Sequence, residues 1–257
     1  MRHLRAVVRI FAIVFTTGFL CVLWLVGSIL GLGSVTFRES VRYHIVHTWA
    51  IIVTAVMGMT RTVTGKAPLP PFCLVANHLS YIDILLMLTQ VRGVLISRAD
   101  VRQWPIIGAL AYLVGSIFID RSSARDVVRV NARIESVLSR NRGIIFFPEG
   151  TSTRGAEVGP FRSSLLEYPA QTGIPVHFAT ISYRTVPGDP PACESICWWG
   201  GMTFSSHLYE LLTIPRFEAL IHFGETPVSG RKRKDLTNRL REKIAEKFIP
   251  VIQKDHR

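Results

Sequence analysis

The chain has 257 residues, which is room for one large domain, or for one domain with an anchor, and not for several. Apolar residues make up 48% of it, enough for a sizeable core, and 30 Lys and Arg against 18 Asp and Glu give a net charge of +12. This charge favours an anionic partner, whether nucleic acid, an anionic membrane surface or a phosphorylated substrate.

The first predicted elements are two apolar helices. Residues 10–37 contain no charged side chain, and a bilayer span needs only about 20 residues. A second uncharged run, residues 43–60, is shorter and contains histidines and a tryptophan, as an interfacial helix does. Basic residues flank both runs, which favours a helical hairpin with both ends on the cytoplasmic face over a single span plus an interfacial helix. We therefore predict a hydrophobic helical membrane anchor over residues 1–64 and a domain over residues 65–257, on the cytoplasmic face of the inner membrane.

The rest of the chain alternates short apolar runs with helix-length stretches, of which residues 124–138 show the clearest helical spacing. Strands that alternate with helices imply crossover connections and a sheet covered on both faces. We predict an α/β fold with a largely parallel mixed sheet flanked by helices. The predicted strands are residues 72–76, 94–97, 116–119, 143–147, 174–182 and 217–223.

Polar groups follow four of these predicted strands directly. In open α/β sheets, ligands bind at the carboxyl ends of the strands, so four such groups together predict a site at that edge. The groups are Asn77-His78 after the first strand, Arg98 after the second, Asp120-Arg121 after the third and Glu149-Gly150-Thr151 after the fourth.

The segment NHLSYID, residues 77–83, has two interpretations. His78 is the natural general base because an imidazole titrates near neutral pH. Asp83, in the first turn of a helix that begins near Tyr81, is placed to orient the imidazole and stabilise its charged form, as in a catalytic triad. The run from Ser80 to Asp83 also matches a capping box, and on spacing alone the capping interpretation is favoured.

The groups after the later strands have structural alternatives as well. Arg98 and Arg121 suit the binding of an anionic group such as phosphate, but Arg121 also suits a surface ion pair. Glu149 is able to hold a hydroxyl or to orient one of these arginines, and Gly150 allows close approach of backbone N–H groups to a ligand. The same segment is also compatible with an ordinary turn.

Several classes of protein are disfavoured by what the sequence lacks. It has no G-x-S-x-G motif and no glycine-rich phosphate loop with lysine. Its four cysteines show no metal-site spacing, so we predict reduced packing residues and no metal. The basic stretch 230–254 has an apolar stripe that suits a helix packed on the domain or in contact with anionic lipid. Because it lacks an aromatic-studded binding motif, and because the N-terminus is apolar, we predict no nucleic-acid partner.

Four blocks of the sequence, taken together, resemble the glycerolipid acyltransferases. Asn77-His78-x4-Asp83, GSIFIDR (115–121), FPEGT (147–151) and GIPVHFATIS (173–182) occur in the order and approximate spacing of that family, over roughly residues 70–185. The likeness is strongest to the 1-acylglycerol-3-phosphate (lysophosphatidate) acyltransferases. It implies that His78, oriented by Asp83, deprotonates the lysolipid hydroxyl, which attacks the thioester of acyl-CoA or acyl-carrier protein and yields phosphatidic acid. It implies no cofactor and no metal.

The resemblance also implies roles for further residues and shows one departure. The family commonly has arginine directly after FPEGT, but here Ser152 and Thr153 follow and the arginine comes later. Either this arginine reaches the acceptor phosphate from a shifted position, or the acceptor is lyso-ornithine lipid or another lysolipid without a phosphomonoester. A membrane lipid-binding protein without catalysis is the remaining hypothesis. The predicted substrate-binding residues are Asn77, Arg98, Arg121, Glu149, Gly150, Thr151 and Arg154.

Overall fold

A seven-stranded mixed sheet forms the centre of the protein, in a computed structural model that describes residues 1–104, 107–120, 124–140 and 142–252. The strand order is β1-β7-β6-β2-β5-β3-β4, and neighbouring strands are parallel except β6 and β7. The predicted α/β fold and all six predicted strands are confirmed. The strands are β1 (Met59–Thr64), β2 (Phe72–Ala76), β3 (Gly93–Arg98), β4 (Ile117–Ile119), β5 (Gly143–Phe146), β6 (Val176–Thr185) and β7 (Phe217–Phe223).

Helices cover both faces of the sheet. Alternate residues of β2 enter two apolar layers: Phe72 and Leu74 pack on one face, and Cys73 and Val75 on the other. All five residues of β2 are buried, as expected for a central parallel strand. The helices are α1 (Arg2–Leu30), α2 (Val35–Val56), α3 (Ile82–Leu88), α4 (Ile107–Leu113), α5 (Ala124–Leu138), α6 (Glu167–Thr172), α7 (Ala192–Ser195), α8 (Phe204–Thr213) and α9 (Arg233–Lys247), with two 3₁₀ turns at Ala99–Gln103 and Ser163–Leu166.

Strand β1 was not predicted. Its residues, MTRTVT, overlap the end of the second uncharged run and belong to the predicted anchor, which ends at residue 64. β1 is an edge strand whose side chains are exposed after Met59, so it carries no apolar alternation. It is held instead by parallel pairing with β7, and the hydroxyl of Thr62 donates to Glu218 Oε1 at 2.6 Å.

The two N-terminal helices form a hairpin that contacts the domain. Among the described residues, α1 is the one helix long and apolar enough to cross a membrane, and most of its apolar side chains are exposed. Near its start, Arg5 donates to Thr213 O at 2.6 Å and Arg9 donates to Pro215 O at 2.7 Å, at the end of α8. These bonds give acceptor carbonyls at a helix terminus their partners.

The basic C-terminal helix α9 packs on the domain. Leu236, Leu240 and Ile244 are fully buried in the core against β6, whereas most basic side chains of the helix are exposed. The predicted apolar stripe is therefore confirmed as a packing surface.

Candidate active site

A cavity of about 220 Å³ lies at the carboxyl ends of β2, β3 and β5, the edge at which the sequence predicts a site. Several side chains singled out in the sequence line it, together with two tryptophans from the loop after α7. The lining includes His78, Arg98, Gly150, Thr151, Trp198 and Trp199.

His78 and Asp83 form a hydrogen-bonded pair at the wall of this cavity. The distance from His78 Nδ1 to Asp83 Oδ2 is 2.7 Å. The carboxylate is completely buried, while the imidazole is 19% exposed and lies stacked on Phe147, with ring centroids 4.4 Å apart. With Nδ1 donating to the carboxylate, Nε2 keeps the lone pair that a general base requires.

Asp83 accepts hydrogen bonds from three groups besides His78. Its Oδ2 also accepts the backbone N–H groups of Leu79 at 2.6 Å and Ser80 at 3.0 Å, and its Oδ1 accepts the hydroxyl of Tyr183 at 2.6 Å. Burial raises the pKa of Tyr183 well above its usual value, so the phenol stays a donor. Four donors on one buried carboxylate leave it little freedom to move away from the imidazole.

The capping-box interpretation is wrong for the side chain of Ser80. The hydroxyl of Ser80 makes no hydrogen bond, and α3 begins at Ile82 without a side-chain cap. The second hydrogen bond of a capping box is present, because Asp83 accepts the Ser80 N–H. The same carboxylate therefore fixes the loop and orients the histidine.

Asn77 and Glu149 lie behind the cavity and do not line it. The Asn77 side chain exchanges two hydrogen bonds with the backbone of Ile181, at 2.9 and 2.7 Å. Glu149, 5% exposed, accepts the N–H groups of His78 at 2.8 Å and Gly159 at 3.1 Å, and burial raises its pKa to about 7. Both side chains position the loop that carries His78. Their predicted contact with substrate stays a prediction.

The predicted basic residues occupy different places. Arg98 lines the cavity and forms a two-pronged ion pair with Asp100, at 3.0 and 2.9 Å. Arg154 is exposed outside the cavity and lies over the ring of Trp199, at 5.2 Å from its centroid. Arg121 lies outside the described residues.

Several side chains of the site were not predicted as such, among them Phe147, Tyr183 and Trp198. In the sequence, Phe147 is the last residue of the predicted strand 143–147, and Trp198 lies outside every predicted strand. Tyr183 is 100 positions from Asp83, and only the register of β6 beside β2 brings them together. The signal in the sequence is a tyrosine directly after the predicted strand 174–182.

Comparison with known proteins shows where this fold and site belong. The family model described as Acyltransferase matches residues 60–182. A lyso-ornithine lipid O-acyltransferase of Pseudomonas aeruginosa is 33% identical over 204 residues, covering 79% of this chain and 78% of that protein. A 1-acyl-sn-glycerol-3-phosphate acyltransferase of Neisseria gonorrhoeae is 24% identical over 180 residues, covering 70% of this chain and 69% of that protein.

A solved structure has a similar fold. The crystal structure of PlsC, the 1-acyl-sn-glycerophosphate acyltransferase of Thermotoga maritima, matches with a TM-score of 0.68 at 20% identity, over 96% of this chain and 97% of that one. The class defined here is an α/β enzyme with an apolar N-terminal helix. The chain belongs to the acyltransferase family, and it is a membrane-associated acyltransferase of the type that acts on lysolipids.

Proposed function

We propose that this enzyme acylates the hydroxyl of lyso-ornithine lipid or a similar zwitterionic lysolipid. The observation that carries the proposal is the Arg98–Asp100 ion pair at the cavity. An ornithine headgroup has one carboxylate and one ammonium, which match one guanidinium and one carboxylate. The relative from Pseudomonas aeruginosa is named for this acceptor.

The charge of the cavity supports the same acceptor. A phosphomonoester carries close to two negative charges at neutral pH. The described lining offers it one arginine, Arg98, whose guanidinium is already engaged by Asp100, and Ser152 stands where the family commonly has arginine. A zwitterionic headgroup needs no excess of positive charge on the wall.

The proposed mechanism is direct transfer from a thioester, acyl-CoA or acyl-carrier protein. Nε2 of His78 takes the proton of the lysolipid hydroxyl as its oxygen attacks the thioester carbonyl. The C–S bond then breaks, and the imidazolium returns the proton to the departing thiolate. Asp83 holds the imidazole in the correct tautomer and stabilises its positive charge throughout. Because the thioester is already activated, positioning and base catalysis suffice, with no metal and no cofactor.

The second candidate acceptor is 1-acylglycerol-3-phosphate, with phosphatidic acid as product. The Arg98–Asp100 pair is about half exposed, and an exposed ion pair contributes only about 0–1 kcal/mol, so a phosphate is able to displace Asp100. The relative from Neisseria gonorrhoeae is named for this acceptor. Lipid binding without catalysis is disfavoured, since such a protein has no need of the buried His78–Asp83 pair.

The two acceptors are separated by two substitutions at the ion pair. Asp100→Asn removes the carboxylate and frees Arg98, so we expect transfer to lyso-ornithine lipid to fall about tenfold and transfer to lysophosphatidate to rise. Arg98→Gln is expected to weaken both. Arg102→Gln, at an exposed arginine that does not line the cavity, is the matched control. The acceptor proposal is wrong if the wild type acylates lysophosphatidate alone and the Asp100→Asn variant has the same preference.

We propose that the domain lies on the cytoplasmic face and that the hairpin enters the membrane from that face without crossing it. Arg9 near the start of α1 contacts the domain, and Glu39, in α2 beside the turn between the two helices, contacts it through Arg140 at 2.9 Å. Both ends of α1 therefore lie on the side of the domain. A thiol introduced as Ser34→Cys between α1 and α2 is therefore expected to resist a membrane-impermeant label applied to spheroplasts. Labelling above the level of the unsubstituted protein would show that α1 crosses the membrane.

A further inference from the structure

A second cavity, of about 230 Å³, lies at the opposite edge of the sheet from the candidate active site. It is near the amino-terminal ends of β3, β4 and β5, between α2, α4 and α5. It has no lining residue in common with the active-site cavity. Neither the acyl transfer nor the acceptor proposal uses it.

Arginines dominate the described lining of this cavity. Glu39 lies 2.9 Å from Arg140 and 3.7 Å from Arg142, and it is the one carboxylate among those lining residues. One carboxylate does not neutralise four guanidinium groups, which repel one another at close range. The four are Arg42, Arg133, Arg140 and Arg142.

Two of these arginines have buried N–H groups without an acceptor. Arg142 is 6% exposed, and its Nε has no hydrogen-bond partner; Nε of Arg42 has none either. Buried donors without partners are rare in folded proteins. Burial, and next the charge of Arg42, lower the pKa of Arg142 to about 10, as expected for a cation short of negative charge around it.

The floor of the cavity is shaped to hold a guanidinium in place. Gly115 has φ of 80°, and a Cβ at this position would lie 3.0 Å from Cζ of Arg42. The glycine therefore lets the Arg42 guanidinium lie close against the backbone, where its direction is fixed. A guanidinium held in one direction presents several coplanar N–H donors, which match the oxygens of a phosphate group.

The surroundings of the cavity indicate the source of that phosphate. Trp24 of the apolar helix α1 and Tyr112 of α4 are part of its wall. Tryptophan and tyrosine are enriched at the level of lipid headgroups, where basic residues also attract anionic lipid. A headgroup in this cavity would leave its acyl chains next to the exposed apolar side of α1.

We propose that this cavity binds the phosphate of an anionic membrane phospholipid, at a site separate from the acceptor site. The bound headgroup supplies acceptors for Arg42 and Arg142 and fixes the hairpin and the domain relative to the membrane surface. A soluble phosphate offers the same chemistry without the acyl chains, so the experiment has to include both.

The test is thermal unfolding of the full-length protein in neutral detergent, with three additions at equal ionic strength: short-chain phosphatidylglycerol, phosphatidylcholine of the same chain length, and inorganic phosphate. We expect phosphatidylglycerol at about ten times its Kd to raise Tm by roughly 3–5 °C. Phosphatidylcholine is expected to give a much smaller rise. A rise with inorganic phosphate as large as that with phosphatidylglycerol would overturn the lipid source.

Two variants tie the effect to this cavity. Ser136→Glu places a carboxylate on the cavity wall, where it competes for the arginines without removing any of them. Arg133→Gln removes one exposed cation of the wall. Both are expected to lose most of the Tm rise and to keep acyl transfer, whereas the exposed Arg184→Gln on β6 keeps the rise. An equal rise in Ser136→Glu and wild type, or no rise in wild type, would overturn the proposal.

Discussion

The backbone N–H of His78 donates a hydrogen bond to Oε1 of Glu149 at 2.8 Å, although 71 positions separate the two residues in the sequence. The other oxygen of Glu149 accepts the N–H of Gly159. One buried carboxylate thus joins the loop after β2 to the loop after β5. The proposed base is held by its backbone as well as by its ring.

Glu149 predicts a specific pH dependence of stability. Its pKa rises from 4.5 to about 7 on folding, mainly through burial. The folded protein therefore binds more protons than the unfolded chain between these values, so this group's contribution to stability is full below pH 4.5 and is lost as the pH rises through 7. The loss is on the order of 1.4 kcal/mol for each unit of difference in pKa.

The variant Glu149→Gln removes this titration. We expect its Tm relative to wild type to be higher at pH 8 than at pH 5, because only the wild type pays for an ionised buried carboxylate at the higher pH. Glu225→Gln, at an exposed position, is the control and is expected to show no such change. An equal difference between Glu149→Gln and wild type at both pH values would contradict the account.

Tyr183 is expected to act as a positioning residue for the His78–Asp83 pair. Tyr183→Phe removes the hydroxyl that donates to Asp83 Oδ1. We expect kcat to fall about tenfold with KM nearly unchanged, and the acidic limb of the pH–rate profile to move to higher pH, because a carboxylate with one fewer donor stabilises the imidazolium more strongly.

The control for this prediction is Tyr168→Phe on α6, which removes a phenol that does not line the active-site cavity. It should leave both kcat and the profile as they are. A Tyr183→Phe enzyme with a lower Tm, an unmoved pH profile and normal kcat would assign the hydroxyl a purely structural role.

Ser152 offers a gain-of-function test of acceptor choice. It lines the cavity, and its hydroxyl donates to Trp198 O. Ser152→Arg restores the basic residue of the family pattern beside the proposed headgroup site. We expect the ratio of lysophosphatidate to lyso-ornithine lipid transfer to rise about tenfold, since a charge-assisted hydrogen bond contributes about 1.5–3 kcal/mol.

Ser229→Arg adds the same charge at an exposed position outside that cavity and is expected to leave the ratio unchanged. If both variants raise lysophosphatidate transfer equally, the effect comes from net charge and not from recognition in the cavity.

The sequence predicted the central part of the fold because its signals are local. The run FCLVA is apolar throughout and forms β2 at the predicted bounds, and the periodic stretch 124–138 forms α5 at the predicted bounds. Sheet topology then placed His78, Arg98 and Gly150 at one cavity. Strand β1 escaped prediction because an exposed edge strand has no apolar pattern to reveal it.

The remaining features depend on long-range register, which a single sequence does not show. The contact between Tyr183 and Asp83 arises only when β6 lies beside β2. The meeting of Arg42 with Arg142 needs α2 to pack near the start of β5. The direction of the Glu149 carboxylate is not visible in the sequence either, because its position after a strand is the same whether the carboxylate faces the cavity or the backbone of His78.

The most direct test of the central claim is acyl transfer by His78→Ala in reconstituted membranes, with lyso-ornithine lipid and lysophosphatidate offered separately. We expect transfer at least a thousandfold below wild type with every acceptor that the wild type uses. We also expect a Tm close to that of wild type, because the ring of His78 is partly exposed and its loop is held by Asp83 and Glu149. Transfer within tenfold of wild type by a folded His78→Ala protein would contradict the assignment of His78 as the base.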